Sequence, residues 1–141
     1  GVPHRGVKGQ VYEGGTLVVK TNDDESIRTN SIPSSQTYYH AATREWWVWS
    51  DWELWSVYDD GEVILLNRNS EKITGVYPLD EFGVALLAND TSLTSFNPGY
   101  YVTQNIYKPG RIDWVETNYQ SRSIYFIGKV GEKEGLFSIS Y

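Results

Sequence analysis

The sequence predicts an all-β fold, a compact closed structure of about twelve short antiparallel strands. Three observations carry that expectation. Short runs rich in Val, Ile, Thr, Tyr and Trp alternate with clusters of Gly, Pro, Asn and Asp, the grammar of strands and turns. No stretch keeps the 3.6-residue apolar period of a long amphipathic helix. The 141 residues include six Trp, eleven Tyr and four Phe, 15% of the chain, more ring surface than a disordered polypeptide carries. A chain of this length fits one domain, 1–141.

The elements follow in order. Residues 7–12 and 17–19 read as strands, and 22–36, polar and rich in Ser, Asn and Asp, as a long loop with a short strand near Ile27 or Ile32. Residues 38–41 and 46–49 form a hairpin. Residues 54–58 and 62–66 form another around Asp59-Asp60-Gly61, where Gly61 can supply the positive φ of a tight turn with a bulge. Residues 84–87 pair with 93–96. Asn97-Pro98-Gly99 and Lys108-Pro109-Gly110 are turn signals, because Pro presets one dihedral and Gly tolerates the next. The last hairpin joins 124–130 to 136–141 through 131–135.

One pattern recurs: an aliphatic residue, Tyr, two turn residues, Gly, any residue, an aliphatic residue. It occurs at Val11 to Leu17, Val57 to Val63 and Ile106 to Ile112, with its tyrosines Tyr12, Tyr58 and Tyr107 spaced 46 and 49 residues apart. Each copy runs into an apolar strand, and a further hairpin follows. Three repeats of roughly 47 residues predict a β-trefoil-like arrangement, which closes a barrel without free edges. Residues 7–12 would supply the strand that the third repeat lacks. The alternatives are a two-sheet β-sandwich and propeller-like blades completed by oligomerisation. The three tyrosines are expected to be structural.

The segment 44–55 stands apart. It holds Trp46, Trp47, Trp49, Trp52 and Trp55, five of the six tryptophans. The matching positions of the second repeat are Ser95, Phe96, Pro98, Tyr101 and Gln104, so the repeat does not itself require indoles. On a strand, Trp47 and Trp49 share one face, and Trp46 and Val48 the other. If one face is core, the other presents rings beside Arg44, Asp51 and Glu53. A sugar stacks its C–H face on indole and gives its hydroxyls to carboxylate and guanidinium, so these eight residues form the candidate ligand site. The same residue types supply protein-interface energy. The competing reading is that the rings fill the core of a chain with no Met or Cys. Trp114 aligns with Val19 and Leu65 and is expected to be core.

Other classes are disfavoured. The absence of Cys removes disulfides and thiolate chemistry. A net charge of −6 argues against nucleic acid and anionic membrane, and no apolar run is long enough to span one. His4 lies near the terminus, and His40 reads as a hydrogen-bonded structural residue. Asn22-Asp23-Asp24-Glu25 lacks the alternating ligands of a calcium loop. Asp51 or Glu53 opposite Asp113 or Glu116 would need a defined separation to hydrolyse glycosides. Asn89-Asp90-Thr91 matches the glycosylation sequon, a frequent chance match.

The sequence therefore predicts a non-catalytic, cofactor-free and metal-free recognition domain, for glycans first. The alternatives are a structural or host-contacting domain of a viral or phage particle or other oligomeric surface protein, and a protein inhibitor. Partners are a glycan, a protein surface or a second copy. An extracellular, cell-surface or virion location fits each.

Overall fold

The structure, a computed structural model, describes residues 7–13, 16–23, 26–33, 36–100, 102–107 and 110–141. It is all-β, with no helix among the described residues. The chain divides into two compact units, Gly1–Ser70 and Glu71–Tyr141.

In the first unit, β1 (Val7–Glu13), β2 (Thr16–Asp23) and β3 (Ser26–Pro33) form one antiparallel sheet in that order. Two sequence expectations are corrected here. Within the stretch expected as a long loop, residues 26–33 form a full strand: β3 pairs with β2 along eight residues, from Thr16↔Pro33 to Asp23↔Ser26. Backbone hydrogen bonding makes this strand where side-chain pattern gives no signal, since its Ser, Thr and Asn carry no apolar alternation. Residues 7–12, expected to complete the third repeat, instead pair with β2.

The second sheet of this unit is β4 (Gln36–His40), β5 (Glu45–Trp49), β6 (Glu53–Tyr58) and β7 (Val63–Arg68), in sequence order. The turn between β6 and β7 is as the sequence implies. Gly61 has φ 86°, its N–H donates to the Tyr58 carbonyl at 2.9 Å, and Tyr58 N–H donates to Glu62 O at 2.9 Å. An L side chain at Gly61 would strain this turn.

In the second unit, β8 (Gly75–Pro78), β9 (Ala85–Ala88), β10 (Leu93–Asn97) and β11 (Val102–Tyr107) form a sheet ordered β11-β10-β9-β8. The other sheet is β12 (Arg111–Asn118), β13 (Ser123–Val130) and β14 (Lys133–Ser140), in that order. The two sheets share one apolar core. Leu86, Ala88 and Leu93 come from one, and Ile112, Val115, Ile124 and Phe126 from the other. Phe137 stacks on Phe126 with ring centroids 5.3 Å apart. Each large side chain buried here contributes about 1.5–3 kcal/mol, which is what holds the two sheets face to face.

The hairpins expected at 38–49, 84–96 and 124–139 are all formed. The recurring tyrosine motif, however, occurs in two settings. Val57 pairs with Val63 across a hairpin. Ile106 and Ile112 lie in different sheets, and Ile112 pairs with Gly128. Turn chemistry reverses the chain but does not choose the next strand's partner, so one motif serves both geometries.

No helix among the described residues is long and apolar enough to cross a membrane.

Candidate functional site

Strand register decides what the Trp-rich segment presents. One face of the β4–β7 sheet carries the cross-strand rows Gln36–Trp49–Leu54, Tyr38–Trp47–Ser56 and His40–Glu45–Tyr58. The other carries Thr37–Val48–Trp55 and Tyr39–Trp46–Val57. Both faces of β5 are covered. Trp47 is fully buried, Trp49 is buried, and Trp46 and Trp55 are half-buried against Val48 and Val57. Trp47 and Trp49 therefore serve packing and leave the exposed candidate site.

The packing around Trp47 is specific. Its ring stacks on His40 with centroids 4.9 Å apart and lies 5.6 Å from Tyr38. Its indole Nε1 donates to Glu45 Oε1 at 3.1 Å. Thr43 Oγ1 donates to the same oxygen at 3.0 Å, and Ser56 Oγ donates to Glu45 Oε2 at 2.5 Å. A carboxylate taken out of water is costly unless its lone pairs are filled, and three donors fill them here. His40 Nδ1 lies 2.8 Å from Thr43 Oγ1, and the ring is buried. His40 is thus a hydrogen-bonded interior residue, as its strand position implied.

The remaining candidates do not converge. Arg44 lies in the β4–β5 turn with φ 55°, while Asp51 and Trp52 lie in the β5–β6 turn. A five-residue strand separates the two ends, roughly 17 Å at about 3.3 Å per residue. The β5–β6 turn is well held. Ser50 Oγ accepts from Trp52 N–H at 3.3 Å and Glu53 N–H at 3.1 Å, and Asn69 N–H donates to Trp52 O at 2.8 Å. That anchorage presents the Trp52 ring, 51% exposed, beside exposed Asp51 and the Glu53–Arg68 ion pair at 3.0 Å.

A second aromatic surface lies where the sequence pattern placed core. Trp114 is 44% exposed, not buried. The β12–β13 register shifts between Ile112 and Trp114, a β-bulge with Asp113 as the extra residue. Ile112 and Val115 face the core, and Asp113 and Trp114 both face outward. A period of two counted from Ile112 would put Trp114 inside. The available signal was Gly128, the partner of Ile112, since glycine inside a strand marks a bulge or close backbone approach.

Trp114, Ile127 and Leu136 form one exposed cross-strand row, and Glu116, Tyr125 and Ser138 form the next. Charge borders this face. Arg111 Nε donates to both oxygens of Asp113, at 3.0 and 3.1 Å, and its Nη1 donates to Glu134 at 3.1 Å. Hydrogen bonding to Asp113 first, then to Glu134, raises the Arg111 guanidinium above its ordinary value.

The sequon is structural in form. Asn89 is buried, its Nδ2 donates to Glu71 and Ser92 at 2.6 Å each, and its Oδ1 accepts from Thr91 and Ser92 N–H at 2.8 Å. That amide is committed to the β9–β10 turn. Among the described residues, no group of three His, Asp or Glu is placed to hold a metal ion.

Comparison with known proteins gives no match to a family model, a curated protein or a solved structure.

Proposed function

We propose that the chain is a non-catalytic recognition protein that binds glycans by ring stacking on the outer face of β12–β13–β14. The observation that carries this reading is the Trp114 indole, half-exposed on the outer face of the sheet, with Tyr125 diagonal to it on the next strand. Indole and phenol rings take the C–H face of a pyranose, and Asp113, Glu116 and Arg111 along the rim take its hydroxyls. Trp52 with Asp51 and Glu53 offers a second, smaller stacking point in the other unit. The shared core of Glu71–Tyr141 supports the two-sheet sandwich alternative for that unit over a trefoil. An extracellular, cell-surface or virion setting suits such a surface.

The test is a tryptophan-fluorescence titration against an oligosaccharide panel. Trp114→Ala and Tyr125→Ala are expected to weaken binding about fivefold or more each. Folded Trp114→Ala and Trp52→Ala variants that bind as well as the parent would remove both surfaces from consideration.

A second reading rests on Ile127 and Leu136, which share the Trp114 row and offer no hydrogen bonds. An apolar row of this kind suits a protein contact, as in an oligomeric surface protein, a particle subunit or an inhibitor. Sedimentation separates the two readings. A dimer or trimer dispersed by Leu136→Ser supports the contact, and a monomer that binds sugar supports the glycan.

A further inference from the structure

Each of the four sheets has two edge strands, and all but one of these edges carry a feature that blocks pairing with a further strand. β1, β7, β11 and β12 are bulged, with an extra residue at Leu66 in β7, Ile106 in β11 and Asp113 in β12. β3 has Arg28 near its middle and ends on Pro33. β4 and β8 are only five and four residues long, and β8 ends on Pro78. β14 is the exception. Its eight residues pair with β13 without a register shift, and it holds no Pro. Its charges, Lys133 and Glu134, stand at its start, so residues 135–140 are uncharged.

The main chain of β14 fixes which residues could pair. Val130 and Lys133 close a two-residue turn, and Tyr141 N–H, just past the last pair, donates to Arg122 O at 3.0 Å. In an antiparallel ladder alternate residues bond to the same neighbour. The odd-numbered residues of β14 therefore bond to β13, and Glu134, Leu136, Ser138 and Ser140 turn their N–H and C=O to the open edge. The side chains of these even-numbered residues lie on the outer face, where Leu136 continues the row of Trp114 and Ile127.

We propose that β14 pairs antiparallel with β14 of a second copy, about a two-fold axis perpendicular to the sheet at Leu136. This register brings outward-pointing main-chain groups together and keeps both outer faces on one side. Leu136 then exchanges both N–H···O bonds with Leu136 of the second copy, and Glu134 does so with Ser138 on either side of the axis. Leu136 also meets an identical apolar side chain. Gly135, where nothing lies within 4 Å of an added Cβ, stands opposite Phe137 of the second copy, so no side chains collide there. The two Glu134 carboxylates fall about 13 Å apart along the strands, four residues at about 3.3 Å each, beyond the screening length of about 8 Å. Two chains of net charge −6 can therefore meet at this edge. That self-matched register favours a second copy over a strand of another protein. Pairing joins two three-stranded sheets into one, with both Trp114 rings on the same side. The contact runs along the edge rather than over the outer face, so it rests on neither reading of that face.

Sedimentation equilibrium tests it. The full chain is expected to be dimeric at about 100 µM. Ser138→Pro removes an N–H that points to the open edge and spares those bonded to β13, so it should weaken the dimer about tenfold or more while the strand signal in circular dichroism persists. Ile127→Ser changes the outer face one strand away and should leave the dimer unchanged. The chain has no Cys, so Leu136→Cys reports the register. Facing Cα atoms at a bonded pair lie about 5.5 Å apart, within disulfide reach, and oxidation should link two copies through position 136, whereas Ile127→Cys should give no link. A monomer at about 100 µM, a dimer undiminished in folded Ser138→Pro, a dimer dispersed by Ile127→Ser, or no link in Leu136→Cys each overturns the proposal. Should Ser138→Pro not fold, Leu136→Lys, which sets two like charges face to face, decides in its place.

Discussion

Gly128 on β13 lies so close to Arg111 on β12 that a Cβ on it would collide with the Arg111 carbonyl. Backbone, unlike a flexible side chain, cannot move aside. This approach sits at the bulge that turns Trp114 outward, so one glycine underlies the exposure of one indole. Gly128→Ala is expected to destabilise the protein by about 1–3 kcal/mol, the usual cost of overpacking. Urea denaturation measures it, and a variant of unchanged midpoint would show that the strands separate freely there.

The two faces of β13 should respond oppositely to truncation. Phe126 is buried between sheets and stacked on Phe137, so Phe126→Ala should cost about 3–5 kcal/mol. Ile127→Ser, one residue away on the outer face, should cost less than about 1 kcal/mol. Comparable losses in thermal melts of the two variants would contradict the assignment of faces.

The buried Glu45 carboxylate depends on its donors. Ser56→Ala removes one of them and leaves an oxygen out of water, at a cost of about 1–3 kcal/mol. Glu45→Gln keeps the shape but puts an NH₂ where a donor already points, so it should also destabilise. If Ser56→Ala is neutral in chemical denaturation, the carboxylate is not held as described.

Burial raises the Tyr77 phenol above its ordinary value, and it does the same, as the leading cause, for Tyr58 and Tyr141. A phenol whose native value is raised holds its proton longer in the folded than in the unfolded chain. Its contribution is therefore complete below about pH 10, the unfolded value, and is lost as pH rises through the native value. Stability should fall above about pH 10, and Tyr77→Phe should flatten that fall. A denaturation midpoint that holds steady from pH 9 to pH 11 would contradict the partial burial of the Tyr77 and Tyr58 phenols.

Solvent quenching should sort the tryptophans. Acrylamide is expected to reach Trp52 and Trp114 and to spare Trp47 and Trp49. Single Trp→Phe variants assign each component. Quenching that persists unchanged in Trp52→Phe and in Trp114→Phe would mean that the buried set is open.

Strand identity was legible because it is local. Alternating β-branched and aromatic residues set β5 and β6, and Asp59-Asp60-Gly61 sets their neighbour's turn. The buried role of His40 followed from the same local pattern. β3 escaped because polar side chains give no alternation, and its backbone bonds to β2 form regardless. The candidate site was only partly legible. Sequence named the indoles, but not which of them would be buried, so Trp47 and Trp49 went inside and Arg44 went to the far end of β5. Trp114 shows the limit best. One extra residue at Asp113 inverts the facing of everything after it, and the bulge arises from pairing with β13, a strand ten and more residues away. By itself the sequence determined that the chain makes strands and where it turns, because dihedral preference and turn chemistry act within a few residues. The tertiary structure alone decided which strand pairs with which and which rings meet solvent, because register and burial are set by partners distant in the chain.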